Sequence, residues 1–201
     1  MRKSKKEFRA YILTGIFFLA KLNLLAIPLY LIIFFNLSYL PLQTFVASVN
    51  VELLKSLGYT VSQNENLFTI NTLDKILRVQ VSWDSTGWKS LYAIATLILA
   101  TPVAGLSRKL KYLAFSLPSI FLINVMRIFS TVIFSLTYGL QYFDFIHSVL
   151  WRATIIVSVL ALWTVFLIKE KDNIVKNQPI TRRSWTSIRK LILANPRKTL
   201  R

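Results

Sequence analysis

The sequence predicts an all-α multi-pass membrane protein, with about four transmembrane helices, an outer amphipathic helix and a small β-hairpin or sheet. Three observations carry this. Hydrophobic residues make up 54% of 201 residues, and mean hydropathy is +0.52. A soluble domain this small cannot hide so much apolar surface in one core, whereas a bilayer removes the need. The apolar residues gather in long runs at 90–106, 113–136 and 148–168, close to the roughly 20 residues of one helical crossing. The formal charge is +17, and the Lys and Arg residues cluster at 2–9, 108–111 and 169–201, beside those runs. That is the positive-inside arrangement rather than a nucleic-acid-binding face.

The first hydrophobic region, 8–40, exceeds one upright crossing and is interrupted by Lys21 and Asn23. The expected crossing is 22–40, with 8–20 lying on the inner interface or extending the helix, and Lys21 snorkelling to the headgroups. The apolar stretch after Lys6 is too long for a cleaved signal peptide and shows no clear cleavage site. Segment 107–112 carries Arg108, Lys109 and Lys111 and reads as a cytoplasmic loop, while 137–146 has Asp144 and no Lys or Arg. Four crossings then place both termini inside and 41–88 outside. The predicted units are a membrane-embedded catalytic domain, 1–170, and a basic cytoplasmic tail, 171–201.

Within the outer segment, 43–57 shows helical spacing through Phe45, Val49, Leu53, Leu54 and Leu57, which fits a helix resting on, or dipping into, the outer leaflet, with Gly58 as its stop. Residues 59–63 and 67–71 read as strands joined by a turn at Asn64, Glu65 and Asn66. A third strand, 76–83, alternates Leu77, Val79, Val81 and Trp83. In the tail, 184–194 fits a short amphipathic helix on the anionic inner leaflet.

The chain has no cysteine, which excludes disulfides, thiolate metal sites and thiol catalysis. No cofactor or metal is expected. Arg127 is the most informative residue, because it lies inside the run 113–136. A charge there costs about 2.5–3.5 kcal/mol on insertion scales. Asn124, Ser130 and Thr131 at i−3, i+3 and i+4 extend it into a polar stripe. It either serves a functional polar interior or is a structural arginine tied to carbonyls or a lipid phosphate. The single histidine, His147, opens the last crossing from outside, and can exchange a proton near neutral pH. The run from Asp84 to Lys89 leads into the crossing at 90. There Asp84 or Ser85 is the expected N-cap, with the N–H groups of Thr86 and Gly87 free for an anion or oxyanion. Alternatively this is a plain cap beside an interfacial Trp88. The topology brings Ser85, Arg127 and His147 towards one outer site, where a nucleophile position, a fixed cation and an acid/base can meet.

Ser85-Thr86-Gly87, then Asn124-Val125-Met126-Arg127, then His147, in this order and topology, resemble the core pattern of the exosortase/archaeosortase family of membrane-embedded transpeptidases over about 58–166. The compact length is similar to small archaeal members. The resemblance implies a cysteine-type peptidase acting on exported proteins with a C-terminal motif, a transmembrane helix and a basic end. These are cleaved and transferred to a membrane lipid or other membrane acceptor. It also implies a nucleophile at position 85, His147 as acid/base, Arg127 stabilising thiolate or oxyanion, support from Thr86, Gly87 and Asn124, and Arg152 as a secondary cavity or headgroup residue. The departure is Ser85, where the family has cysteine. A serine needs an adjacent general base, which a cation such as Arg127 cannot be, so the chain reads as a scaffold of impaired activity. Two other readings stay open: an intramembrane serine hydrolase using Ser85 and His147, although no Gly-x-Ser-x-Gly surrounds Ser85, and a non-enzymatic membrane assembly or lipid-binding protein. The expected location is the plasma membrane, with anionic lipids as neighbours and no nucleic-acid partner.

Overall fold

The computed structural model describes residues 5–72, 75–102, 104–139 and 151–177. The chain is mostly helical, with one three-stranded sheet. Among the described residues three helical stretches are long and apolar enough to cross a membrane: Ile12–Phe34, Leu106–Tyr138 and Ala153–Lys171. The segment expected to cross at 90–106 forms a shorter apolar helix, α3 in the order below, Trp88–Ala100.

Helix α1 (Lys5–Phe34) is continuous. Lys21 and Asn23 do not break it: Asn23 Nδ2 donates to the Leu19 carbonyl one turn back. The helix therefore starts well before 22, as the extended alternative allows, and it stops at Phe34 rather than running to 40. Pro28 lies inside it and deletes one backbone donor. Close by, the Tyr92 hydroxyl of the neighbouring helix donates to the Leu25 carbonyl. None of the apolar stretch of α1 is buried by the rest of the chain. A helix so exposed and so apolar requires lipid around it.

Helix α2 (Leu40–Ser56) begins on Pro41 and ends in a Schellman motif. Gly58 has φ 88°, its N–H reaches the Lys55 carbonyl, and the Tyr59 N–H reaches the Leu54 carbonyl. Of the residues read as the leaflet-facing side of α2, Leu54 is buried and Val49 and Leu53 are half-buried. Gln43, Val46, Ala47, Asn50, Val51 and Leu54 turn inward, while Phe45 and Leu57 stay exposed. The helix carries apolar residues on two sides, and the inward side also holds two polar residues, each with a hydrogen bond, although Asn50 Oδ1 has no partner. Asn66 Nδ2 donates to Gln43 Oε1 at 2.9 Å, and Asn50 Nδ2 donates to the Val46 carbonyl.

Strands β1 (Thr60–Asn64), β2 (Leu67–Asn71) and β3 (Ile76–Gln80) form an antiparallel meander in the order β1-β2-β3. The third strand is shorter than expected. Trp83 has left it to start a 3-10 turn, Trp83–Thr86, and its ring stacks on Trp88. The inward residues Phe68, Ile70 and Val81 pack with Val46, Ala47 and Leu54 of α2 and with Ile128 and Val132 of the fourth helix.

Helix α3 (Trp88–Ala100) has 13 residues, about 20 Å of rise. Helix α4 (Leu106–Tyr138) has 33, about 50 Å. The supposed loop 107–112 is thus the first turns of α4. Its basic residues hold neighbouring elements: Lys109 Nζ donates to the Leu99 carbonyl, and Arg108 pairs with Glu170 at 2.9 Å. Helix α5 (Trp151–Asn177) packs against α3 and α4. A second core joins Ile94 and Ile98 of α3, Leu113 and Ile120 of α4, and Val159 and Phe166 of α5. Helix α4 alone runs through both cores, and the polar residues lie on it between Ile120 and Ile128. The amphipathic segment expected at 184–194 lies outside the described residues, as does Asp144.

Candidate functional site

The site forms where the sheet hands over to α3. Ser82 caps the 3-10 turn: its Oγ accepts from the Ser85 N–H at 3.3 Å. Neither Asp84 nor Ser85 is the N-cap of α3. Gly87 occupies that position, with φ 79°, and no side chain caps the helix. The reason is geometric. The chain makes a tight 3-10 turn and then reverses into the α-helix, which requires a left-handed residue at the junction. Gly87 answers a second demand as well. A Cβ there would come within 2.6 Å of Asn124 Cγ, so the absence of a side chain lets α4 press against the start of α3. The first N–H groups of an α-helix have no intrahelical partner, and α3 starts at Trp88, three residues after Ser85. Asp84 pairs instead with Lys89 at 2.7 Å on the exposed flank.

Helix α4 delivers two side chains to this junction. Asn124 Nδ2 donates to the Ser85 carbonyl at 3.0 Å, and an Arg127 terminal nitrogen donates to the same carbonyl at 3.2 Å. Both side chains are buried. The expected polar stripe is therefore only partly one unit. Asn124, Arg127 and Thr131 face inward, with the Thr131 hydroxyl on the Arg127 carbonyl at 2.8 Å. Ser130 bonds back to the Met126 carbonyl on its own helix. A structural arginine tied to a carbonyl accounts for one nitrogen of Arg127. It does not account for Nε, which is buried without a partner, nor for Asn124 Oδ1, in the same condition. Among the described residues Arg127 has no acidic partner.

The Ser85 hydroxyl is partly exposed and lies 2.8 Å from Ser82 Oγ. It borders a small recess of about 50 Å³ shared with Gln80, Val81, Ile128 and Thr131. Ser82 went unnoticed in the sequence; a serine three residues before Ser85 was the available signal, since that spacing is a turn. Thr86 is fully buried, and its hydroxyl donates to the Trp83 carbonyl at 2.8 Å. It locks the turn rather than facing a ligand. The structure thus brings Ser85, Gly87, Asn124 and Arg127 together, with Thr86 beneath them. His147 lies outside the described residues. Arg152 stands in the first turn of α5, and its side chain is outside the described ones. No group of His, Asp or Glu among the described residues is arranged to hold a metal.

Such an arrangement can fix one backbone carbonyl, hold a nucleophile at a helix start and keep one guanidinium N–H in reserve in a low-dielectric setting, where an anion developing nearby is strongly stabilised. A family model described as transmembrane exosortase matches residues 10–167, which contain every one of these residues. No curated protein matches the chain, and no solved structure does.

Proposed function

The chain belongs to the transmembrane exosortase family, and from that premise we propose that it is the scaffold of a membrane-embedded transpeptidase for exported proteins carrying a C-terminal motif, a transmembrane helix and a basic end. Residue 85 is the nucleophile position. One observation carries the reading. Two side chains of a membrane-spanning helix converge on the Ser85 carbonyl, while the buried Arg127 keeps an N–H without a partner. Buried polar groups are normally satisfied, and a donor left open beside a nucleophile position suits an oxyanion.

With cysteine at position 85, the thiolate attacks the carbonyl carbon of the scissile peptide. A C–S bond forms and the carbonyl electron pair moves to oxygen, where Arg127 and the first-turn N–H groups of α3 receive the charge. Collapse breaks the C–N bond, and His147 gives its proton to the leaving amine. The acceptor then loses a proton to His147, attacks the thioester and frees the thiolate. Asn124 positions the turn, and Arg152 lines the cavity or meets a headgroup. With serine in place, the partner of its hydroxyl among the described residues is Ser82, which is not a base. The serine form therefore binds substrate without turning it over.

For topology the proposal keeps four crossings with both termini cytoplasmic, in the plasma membrane, and 171–201 as a basic tail on anionic lipid. Helix α3 is the short crossing. Its rise of about 20 Å falls short of the roughly 30 Å hydrocarbon layer, which sets Gly87 below the outer surface. The test compares the chain with its Ser85→Cys variant in membranes, using one candidate substrate. Thiol-dependent cleavage is expected from the cysteine form alone, and His147→Ala in that background should abolish cleavage but leave binding. Equal turnover by both forms, with the serine form blocked by a fluorophosphonate, would replace this reading with a serine hydrolase.

A further inference from the structure

The sheet ends at β3, and among the described residues no strand pairs with its outer edge. The ladder determines which backbone groups face that edge. The Val81 N–H bonds to the Asn66 carbonyl and the Thr72 N–H to the Lys75 carbonyl, and the register between them pairs Phe68 with Val79 and Ile70 with Leu77. Hydrogen-bonded pairs recur at every second residue of an antiparallel ladder. Lys75, Leu77, Val79 and Val81 therefore point their backbone groups at β2. Ile76, Arg78 and Gln80 point theirs outward, at the unpaired edge. Such an edge is a template for another extended chain.

This edge borders a groove of about 590 Å³, walled by β3 from Ile76 to Gln80 and, on the far side, by Val132 and Ser135 of α4. The groove does not end blindly. Val79, Gln80 and Val132 also line the recess that contains Ser85. In the other direction Ile76, Leu77 and Ser135 line a further hollow with Lys75 and Gly139. Two exposed cations, Arg78 and Lys75, stand along this path, and among the described residues no acidic one lines any of its parts.

We propose that an extended, acidic peptide segment binds here as a fourth strand on β3 and is thereby led to residue 85. The occupant is a polypeptide because only a second backbone matches alternating N–H and C=O groups at strand spacing. It is acidic because the cations Arg78 and Lys75 line the path, with no carboxylate among the described residues. What happens to the segment at residue 85 rests on the transpeptidase reading; the docking itself does not.

The experiment uses the full chain in lipid nanodiscs and a fluorescent synthetic peptide of about eight residues alternating valine and glutamate, enough to run along β3 at about 3.3 Å per residue. Alternation fixes which side chains face the protein. Two N-methylated forms, blocked on odd or on even residues, are compared with it. Strand addition uses alternate amides, so one form is expected to bind at least about 10-fold more weakly and the other nearly as well as the parent. Arg78→Pro removes an outward N–H without touching the β2 ladder, as edge strands tolerate, and should lose binding. Arg78→Glu keeps that N–H and should weaken the glutamate peptide but not a version with lysine in place of glutamate. Equal binding by the two methylated forms, or no saturable binding by the parent, overturns the proposal. Cleavage by Ser85→Cys without any such parity sinks strand addition alone. Parity without thiol-dependent turnover sinks the transpeptidase reading alone.

Discussion

Two of the buried charges, Glu170 of α5 and Arg127 of α4, are treated differently. Glu170 is fully buried and faces Arg108 at 2.9 Å, although neither carboxylate oxygen makes a well-aligned hydrogen bond. Arg127 is nearly as buried, has no acidic partner among the described residues, and spends one nitrogen on a carbonyl while Nε has no partner. Neutralising a buried charge with an opposite one is what a structural role requires. Leaving a buried cation open is costly, and the cost is consistent with a charge that waits for an anion. Lys109 is also buried and has no acidic partner among the described residues, but its nitrogen is used on the Leu99 carbonyl; what sets Arg127 apart is the buried Nε that has no partner.

The largest effect that would sharpen this contrast is on activity. In a Ser85→Cys background, Arg127→Lys should stay folded but lose about 100-fold or more in turnover, the scale for removing one oxyanion donor. Lysine keeps the charge and lacks the planar fork. Steady-state cleavage in membranes checks it, and unchanged turnover would put Arg127 in the same structural class as Glu170.

The next effect is on the junction itself. Gly87→Ala should destabilise by about 1–2 kcal/mol from the left-handed backbone alone, with more from the contact at 2.6 Å to Asn124. Thermal unfolding of the detergent-solubilised protein measures this. A neutral substitution would mean that α3 and α4 are not pressed together there.

At the Glu170 pair, Arg108→Ala should cost about 1–3 kcal/mol, less than for a fully buried pair, because Arg108 is half-exposed. Glu170→Gln should cost less than Arg108→Ala, since it removes the buried charge rather than stranding it. Unfolding measurements in the reverse order would break the comparison.

The smallest perturbation tests orientation. The chain has no cysteine, so single cysteines report cleanly. One at Asn64 should react with an impermeant maleimide added outside intact cells. One at Lys111, which is exposed on α4, should not. The opposite pattern would invert the orientation.

Much of this was legible in the residues. Apolar runs bounded by basic clusters mark a membrane protein because helices in lipid must satisfy their backbone internally and cations stay out of hydrocarbon. The strand 67–71 was read with its observed ends, because turn residues bound it. Asn124 and Arg127 stood out because a charge inside an apolar run demands a reason. Other features depended on partners that no local pattern reveals. Lys21 failed to break α1, since a long cationic side chain can reach the interface from a continuous helix. The inward face of α2, which holds Gln43 and Asn50, is set by packing against the sheet, which the helix's own pattern does not show. The cap of α3 passed from Asp84 or Ser85 to Gly87, because the preceding 3-10 turn consumes both residues. Sequence by itself determined the membrane class and the residues that carry charge where charge is expensive, since both follow from transfer free energies of individual side chains. Tertiary structure alone decided that Arg127 and Asn124 meet at the Ser85 carbonyl, that Gly87 must be bare to admit them, and that β3 leaves an edge open beside α4. Those are relations between elements far apart in the chain, and they arise only when the helices and the sheet pack.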